Sequence, residues 1–211
     1  NSAKIVELAL NNGRLMHIDG QLGPDYGSLR TYKTFDEVLE AVDKQFAYWC
    51  EQIRGSNDVI DIAHREVKPL PYISSMYEDC IERGKCITEG GAKYNFTAPQ
   101  AAGIATCADI LSTIKQLVFE EKRYTGDELL QAVYDNWEGH DQLYALVNSS
   151  KIHHYGNDDD YADELFKFVY ESFCRNLNKG TNPRGGSYIP GVYTVNANVG
   201  LGLATNASLD G

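Results

Sequence analysis

The sequence predicts a helix-rich α/β fold, because most of its hydrophobic pattern has the helical period and one segment has the period of a strand. The chain has 211 residues, of which 43% are hydrophobic, and this is enough for one substantial core. A lone strand-like segment cannot make a sheet by itself. We therefore expect an internal piece of a larger α/β protein whose other strands lie outside these residues.

The first third of the chain predicts two helices. A short opening helix is expected to stop at Asn11-Asn12-Gly13, since Asn and Gly are common at helix C-termini. A second helix is expected to begin after Thr34, which can cap it together with Glu37, and to continue through residues 56–67 towards Pro69. The predicted buried stripe of this helix consists of Phe35, Val38, Leu39, Val42, Phe46 and Trp49.

Four further helices and one strand are predicted in the rest of the chain. The first is a short helix after Pro71 that holds Cys80 and Ile81. Thr125 and Glu128 form a second capping box, and the acidic run at residues 157–160 suits a helix N-terminus. The alternation of polar and apolar residues over Val192–Val199 predicts a strand with unequal faces. The second of these helices has its apolar face at Ile104, Cys107, Leu111, Ile114, Leu117 and Val118.

Composition excludes several classes of partner. A net charge of -11 argues against nucleic acids and anionic membranes, which attract clustered Lys and Arg. No apolar run approaches the roughly 18 residues of a membrane-spanning helix. Five cysteines without a CxxC pair favour reduced thiols, and we therefore expect a cytoplasmic protein with neither a nucleic-acid nor a membrane partner.

Several stretches together carry a family resemblance. They are Leu8–Arg14, Gln21–Pro24, Gly90–Gln100 with the following segment up to Lys122, Pro190–Val199 and Asn206–Gly211. In order and spacing they resemble the glycyl radical enzymes related to pyruvate formate-lyase. The resemblance covers most of the chain and is greatest to the branch of glycerol, choline and hydroxyproline lyases or dehydratases.

The resemblance implies that residues 1–211 are an internal part of a ten-stranded α/β barrel, contributing an outer layer of helices and one or two strands. Two motifs of the family do not occur in these residues: the Gly-x-Cys-x-Glu loop and the C-terminal Arg-Val-x-Gly-Tyr loop. The catalytic cysteine and glutamate and the radical glycine would therefore lie outside the chain. We expect no catalytic residue within it, and no activity from it alone.

The same resemblance implies the chemistry and partners of the parent enzyme. A separate activase, dependent on S-adenosylmethionine and an iron–sulfur cluster, would install the glycyl radical. The cysteine thiyl would then abstract hydrogen from a small hydroxylated substrate, and elimination would follow. The parent is expected to be a homodimer, and this chain is expected to bind neither cofactor nor metal.

Five residues are predicted to face the substrate. Asn95, Phe96 and Gln100 follow a glycine-flexed approach, where amides and aromatic rings can orient a small polar molecule. An equally weighted alternative is that the two amides only bond to backbone around the turn. Thr194 and Asn196 share the polar face of the predicted strand. In related enzymes residues of this strand line the substrate cavity, and we expect the polar face to be the one that points inward.

Other functions remain open at this point. Within the family, these are formate acetyltransferases, arylacetate decarboxylases, fumarate-adding synthases and a sulfite-releasing lyase. Outside it, a non-catalytic helical binding module would have a similar pattern. His153-His154 beside the acidic run is a weak metal candidate, because adjacent side chains on a regular backbone point apart.

Overall fold

The structure is a computed structural model that describes residues 1–192 and 197–211, apart from the side chains of Asn198 and Ala204. The chain divides into two compact units. The larger unit comprises Asn1–Tyr48, Ala101–Ser172 and Tyr193–Gly211, and the smaller comprises Trp49–Gln100 and Phe173–Val192. None of the helices described has both the length and the apolar character needed to cross a membrane.

The described residues are mainly helical. The α-helices are α1 (Ser2–Leu10), α2 (Phe35–Val67), α3 (Pro71–Ser74), α4 (Cys80–Arg83), α5 (Ile104–Ile114), α6 (Gly126–Tyr134), α7 (Asp141–Val147), α8 (Asp160–Leu177) and α9 (Ala197–Thr205). A 3-10 helix spans Ile87–Glu89 and a π-helix spans Lys115–Glu120. Over residues 1–192 and 197–211, extended pairing is limited to isolated bridges. The helix-rich prediction is confirmed, whereas the strands of the predicted α/β barrel are not seen in this part of the chain.

The predicted boundaries of the early helices hold. Helix α1 ends one residue before Asn11, as the Asn-Asn-Gly stop signal predicted. The Thr34 side chain accepts the N–H of Glu37 at 3.4 Å, and the Glu37 carboxylate accepts the N–H of Lys33 at 2.6 Å. Helix α2 runs unbroken for 33 residues to Val67, shortly before Pro69.

Apolar helix faces form the core of the larger unit. Most of the periodic positions predicted for α2 and for the helix after Gly103 lie in this core, as do positions on α1, α6 and α8. The predicted positions Phe35, Leu39, Trp49 and Val118 are only half-buried, and Trp49 belongs to the smaller unit. Fully or almost fully buried members are Val6, Leu10, Val38, Val42, Phe46, Cys107, Leu111, Ile114, Leu117, Leu129, Val133, Leu165 and Val169. The helical period therefore identified the core-facing side of these elements.

The helix that follows Gly103 changes geometry part of the way along. It is α-helical to Ile114 and then widens into the π-helix, where the Glu121 N–H bonds to the Gln116 carbonyl at 2.9 Å. The Gln116 amide donates to Glu121 and to the Lys151 carbonyl, each at 2.8 Å. These local bonds accompany a widening that apolar periodicity alone did not predict.

The strand predicted over Val192–Val199 is wrong at its C-terminal end. Residues from Ala197 onwards belong to α9, and residues 193–196 lie outside the described part. Local propensity does not account for this helix, because α9 contains Gly200 and Gly202 beside its Ala and Leu residues. The last turn is held by the Thr205 hydroxyl, which donates to the Leu201 carbonyl at 2.7 Å and accepts from the Asn1 amide at 2.6 Å.

Candidate functional site

The candidate site is the Gly90–Gln100 segment of the smaller unit, and Asn95 braces it from within. The Asn95 side-chain amide donates to the Ala92 carbonyl at 2.8 Å and to the Gly90 carbonyl at 3.3 Å. Asn95 is partly buried. The backbone-bonding alternative is therefore realised for its amide nitrogen.

Phe96 and Gln100 are more exposed than Asn95. The Phe96 ring is 50% exposed and stacks on Tyr94, with ring centroids 5.8 Å apart. The exposed Gln100 amide donates to the Ala98 carbonyl at 3.2 Å. The segment thus presents an aromatic pair and a side-chain amide on a locally braced backbone, which are groups that can bind a small polar molecule.

The second half of the segment pairs with residues 187–191. The Thr97 N–H donates to the Ser187 carbonyl at 3.1 Å, and the Ile189 N–H donates back to the Thr97 carbonyl at 2.9 Å. The Gly191 N–H donates to the Pro99 carbonyl at 3.1 Å. Parallel bridges at Thr97–Tyr188 and Gln100–Gly191 follow from this pattern.

Asn182 holds the beginning of this pairing. It is buried, and its amide donates to the Asn95 carbonyl at 2.6 Å and to the Thr97 hydroxyl at 2.8 Å. Its side-chain oxygen accepts the N–H groups of Arg184 at 3.1 Å and Gly186 at 2.9 Å. One amide therefore links the turn at residues 182–186 to the candidate segment.

Arg184 adds a charged connection to the same segment. Its guanidinium donates to Asp61 at 3.0 Å, to the Phe96 carbonyl at 2.9 Å and to the Thr97 hydroxyl at 3.0 Å. Both partners of the ion pair are largely shielded from solvent. A guanidinium has enough donors, in a fixed plane, to serve all three acceptors at once.

Tyr188 anchors the pairing on α2. Its ring is buried, and its hydroxyl donates to the Asp58 carboxylate and lies 3.2 Å from the Arg54 carbonyl. Burial, followed by the neighbouring Asp58 charge, raises the pKa of Tyr188 above its usual range. The phenol is thus held in its neutral, donating form.

The structure brings together three of the five predicted site residues. Asn95, Phe96 and Gln100 share one segment, whereas Thr194 and Asn196 lie outside the described residues. The sequence analysis missed Asn182, Arg184 and Tyr188, which hold that segment in place. An amide two residues before an Arg-Gly-Gly turn was the available signal, but its partners lie roughly 90 positions away in the sequence.

The larger unit contains a separate pair of partly buried carboxyls, those of Asp109 and Asp210. Burial raises the pKa of Asp210 to about 6, and the neighbouring Asp109 charge contributes in the same direction. The Ser208 hydroxyl donates to Asp210, while Asp109 accepts the N–H of Tyr155 at 2.7 Å. His154 Nδ1 lies 3.9 Å from the Asp109 carboxylate.

The acidic run before α8 behaves as a helix cap. Asp159 accepts the N–H of Tyr161 at 3.0 Å and lies 2.5 Å from His153 Nδ1. The bond to His153, followed by the Tyr161 N–H, lowers the pKa of Asp159. Among the residues that the structure describes, no group of three or more His, Cys, Asp or Glu side chains could hold a metal ion.

Comparison with known proteins assigns the family. The family model for pyruvate formate lyase-like proteins matches residues 1–202. The chain therefore belongs to the pyruvate formate lyase-like family. This confirms the resemblance inferred from the sequence.

The relatives include dehydratases that act on hydroxylated compounds. The chain is 65% identical over all 211 residues to (2S)-3-sulfopropanediol dehydratase of Klebsiella oxytoca, of which it covers 26%. It is 36% identical over 211 residues to trans-4-hydroxy-L-proline dehydratase of Clostridioides difficile, of which it covers 27%. The chain thus spans about a quarter of the length of these relatives.

Solved structures agree with this assignment. The glycerol-bound B12-independent glycerol dehydratase of Clostridium butyricum matches with a TM-score of 0.93 and 38% identity, over 100% of this chain and 26% of that chain. A glycyl radical enzyme of Archaeoglobus fulgidus matches with a TM-score of 0.91 and 35% identity, again over 100% of this chain and 26% of that one. The fold of the chain is thus that of the corresponding part of glycyl radical enzymes.

Proposed function

We propose that the chain is part of a glycyl radical dehydratase that removes water from a small vicinal diol, in the first instance (2S)-3-sulfopropanediol. The observation that carries this proposal is the 65% identity to (2S)-3-sulfopropanediol dehydratase, which extends over the whole chain. Identity to the hydroxyproline dehydratase is much lower, at 36%. A sulfonated diol is therefore preferred to a cyclic amino acid as substrate.

The proposed reaction is a radical elimination at a carbon that bears a hydroxyl group. A protein glycyl radical, installed by a separate activating enzyme, would generate a thiyl radical on a cysteine outside this chain. That thiyl would take a hydrogen atom from the substrate and return it after water has left, so the reaction is redox-neutral overall. The described residues would shape and support the cavity, with Asn95, Phe96 and Gln100 on one braced segment. Thr194 and Asn196 are proposed as further cavity residues.

The parent protein is proposed to be a cytoplasmic homodimer with a ten-stranded barrel, to which this chain contributes mostly outer helices. The identities to several dehydratases and the TM-scores above support a dehydratase over a non-catalytic binding module. Isethionate sulfite-lyase of Desulfovibrio desulfuricans is 31% identical over 171 residues. Cleavage of a carbon–sulfur bond is consequently less well supported than dehydration.

The test is an anaerobic assay of the full reading frame that contains this chain, after incubation with a cognate activating enzyme and S-adenosylmethionine. Electron paramagnetic resonance should detect a glycyl radical. Consumption of substrate should be fastest with (2S)-3-sulfopropanediol and slower with glycerol, propane-1,2-diol and trans-4-hydroxy-L-proline. A radical signal with no turnover of the sulfonated diol would refute the substrate assignment, and failure to form any radical would refute the enzyme class.

A further inference from the structure

The two segments of the candidate site approach each other through reciprocal glycine contacts. A Cβ atom added to Gly186 would lie 1.9 Å from the Asn95 carbonyl oxygen and 2.4 Å from its carbonyl carbon. A Cβ atom added to Gly90 would lie 2.3 Å from the Arg184 carbonyl oxygen. Each segment therefore places a glycine against the backbone of the other, and neither contact leaves room for a side chain.

The obstructing atoms are backbone atoms, and this makes the contacts unyielding. A clashing side-chain tip can rotate away, whereas a carbonyl can move only if its whole segment moves. Gly191 illustrates the softer case, because a Cβ there would meet the exposed Gln100 amide at 2.1 Å. Gly90 has a second restriction, since its φ of +83° lies in the left-handed region that favours glycine.

Polar groups surround the two glycine contacts and fix the same alignment. The Gly186 N–H is held by the buried Asn182, whose amide also binds the Asn95 carbonyl that Gly186 approaches. Arg184, whose carbonyl faces Gly90, donates to Phe96 and Thr97 on the opposite segment. The glycine contacts and the hydrogen bonds thus select one register for the pairing that follows.

We propose that Gly90 and Gly186 form a glycine clasp that sets the register of residues 187–191 against Thr97–Gln100 and thereby positions Phe96 on the candidate segment. The second part of this proposal rests on the proposed function, because Phe96 is predicted to contact the substrate. Phe96 lies between Asn95, whose carbonyl Gly186 approaches, and Thr97, whose N–H and carbonyl make the pairing bonds. A register error at the clasp would therefore displace Phe96.

The clasp also changes the role of two predicted site residues. Asn95 and Gln100 act as positioning residues in this scheme, because their polar groups hold or cover backbone of the paired segments. Phe96 retains its proposed contact with substrate, since its ring is half exposed while its carbonyl is held by Arg184. The clasp thus separates residues that hold the cavity wall from those that contact the ligand.

The experiment compares Gly186→Ala with Gly55→Ala in the full reading frame that contains this chain. Gly55 lies within α2 of the same unit, and a Cβ there would meet nothing within 4 Å. Amide hydrogen exchange is read at Thr97, Ile189 and Gly191, whose N–H groups make the pairing bonds. We expect exchange at these amides to rise by about tenfold or more in Gly186→Ala and to stay at the wild-type rate in Gly55→Ala.

The kinetic readout is the ratio of kcat/KM for two diols, (2S)-3-sulfopropanediol and propane-1,2-diol. A displaced cavity wall should change this ratio by about tenfold in Gly186→Ala, because small misplacements of binding groups alter discrimination as well as rate. A loss of folded protein would lower both rates equally and leave the ratio unchanged. Gly55→Ala should retain both rates.

Each outcome bears on a different statement. Wild-type exchange in a folded Gly186→Ala protein would overturn the clasp. Raised exchange with an unchanged kinetic ratio would overturn the positioning role. If no diol is turned over, the proposed function fails, and the exchange measurement still decides whether the clasp sets the register.

A milder variant covers the case in which Gly186→Ala does not fold. The nearest atoms to a Cβ in Gly191→Ala are those of the Gln100 side-chain amide, so exchange should rise at position 191 and not at Thr97. The double variant with Gln100→Ala removes the clashing amide and should return exchange at Gly191 to the wild-type rate. If exchange rises equally at Thr97 and at position 191 in both variants, the register is not set by contacts at individual residues.

Discussion

The two units are stabilised in different ways. In the larger unit, helix faces bury a continuous series of apolar side chains such as Phe46, Leu111 and Leu129. Among the described residues, the smaller unit has few buried apolar side chains, including Phe173 and Tyr188. Its segments are joined instead by side chain-to-backbone hydrogen bonds of Asn95, Asn182 and Arg184.

The two units also differ in how many large hydrophobic side chains they expose to solvent. Although it is the smaller unit, it has most of the large hydrophobic side chains that are exposed in the described part of the chain. Examples are Val59, Ile60, Val67, Tyr72, Met76 and Ile81. The comparison teaches that the predicted site is built on a unit whose order depends on directional bonds, while the larger unit provides a conventional core.

The largest expected effect separates the two units by cavity formation. Leu111→Ala in the fully buried centre of the larger unit should cost about 2–5 kcal/mol of unfolding free energy, because it removes packed methyl groups and leaves a void. The matched change in the smaller unit is Val67→Ala, at a residue that is 82% exposed, and it should alter stability by about 0.5 kcal/mol or less. Urea unfolding measures both.

Comparable losses for these two substitutions would break the comparison. That result would mean that Val67 is buried in solution against something other than the described residues. A small loss for Leu111→Ala would instead mean that the larger unit can collapse around the missing side chain.

The next effect concerns the partly buried carboxyl of Asp210. Its pKa is raised from 3.8 to about 6 in the folded chain, so the folded state retains a proton that the unfolded chain has already released. Stability should therefore fall as the pH rises from about 4 to about 6, by about 3 kcal/mol for this group. Asp210→Asn removes the titrating proton and should abolish this component.

The diagnostic quantity is the difference between wild type and Asp210→Asn, followed by urea unfolding across that pH range. The pH dependence of wild type alone is less informative, because other groups contribute to it. Asp135 and Asp159 have lowered pKa values, and the stability that they contribute to the fold is lost as the pH falls. If stability changes with pH in the same way in wild type and in Asp210→Asn, the raised pKa of Asp210 is wrong. Ser208→Ala keeps the carboxyl but removes a hydrogen bond that lowers its pKa, so the loss of stability should extend to higher pH in this variant.

An intermediate effect tests the polar anchor of the smaller unit. Tyr188→Phe deletes the hydroxyl that donates to the Asp58 carboxylate and leaves that acceptor without this donor. We expect a cost of about 1–3 kcal/mol, which is the penalty for an unsatisfied buried polar group. Tyr94→Phe removes the same atom from a residue that is 67% exposed, and should leave the urea midpoint unchanged.

If the two Tyr→Phe variants behave alike, the hydroxyl of Tyr188 does not anchor the unit. The Asp58→Asn variant sharpens the test, since its side chain still accepts a hydrogen bond. A smaller loss in Asp58→Asn than in Tyr188→Phe is therefore expected.

The larger unit was also the more predictable from sequence. The stripes of α2 and α5, the acidic start of α8 and the Thr125 cap follow from local patterns that span a few turns of helix. The contacts that order the site do not, because the partners of Asn95 and Thr97 lie at residues 182–191. No local pattern specifies such a pairing, and close approach of Gly186 is visible only in three dimensions.

A local pattern also failed after Val192. The alternation after Val192 predicted a strand, yet its last residues form the start of α9. Asn95 and Gln100 both bond to backbone carbonyls of their own segment, and polar residue type alone did not distinguish a ligand contact from a backbone brace. That distinction depends on which carbonyl groups lie nearby, and so on the fold.

The smallest effect sharpens the comparison at a single helix cap. In the larger unit, Thr125 accepts the Glu128 N–H at 3.2 Å, and the Glu128 carboxylate accepts the Thr125 N–H at 2.7 Å. Thr125→Ala should cost about 1 kcal/mol, whereas Thr125→Ser keeps the hydroxyl and should cost only a few tenths. The backbone N–H of Thr125 and, secondly, its hydroxyl lower the pKa of Glu128. Thr125→Ala removes only the hydroxyl, so that pKa should rise part of the way. An NMR titration of the Glu128 carboxyl measures this pKa directly.

A loss of stability with an unchanged pKa of Glu128 would show that the two halves of the capping box act independently. Even the unit that is predictable from local patterns would then contain hydrogen bonds whose energies the pattern does not give.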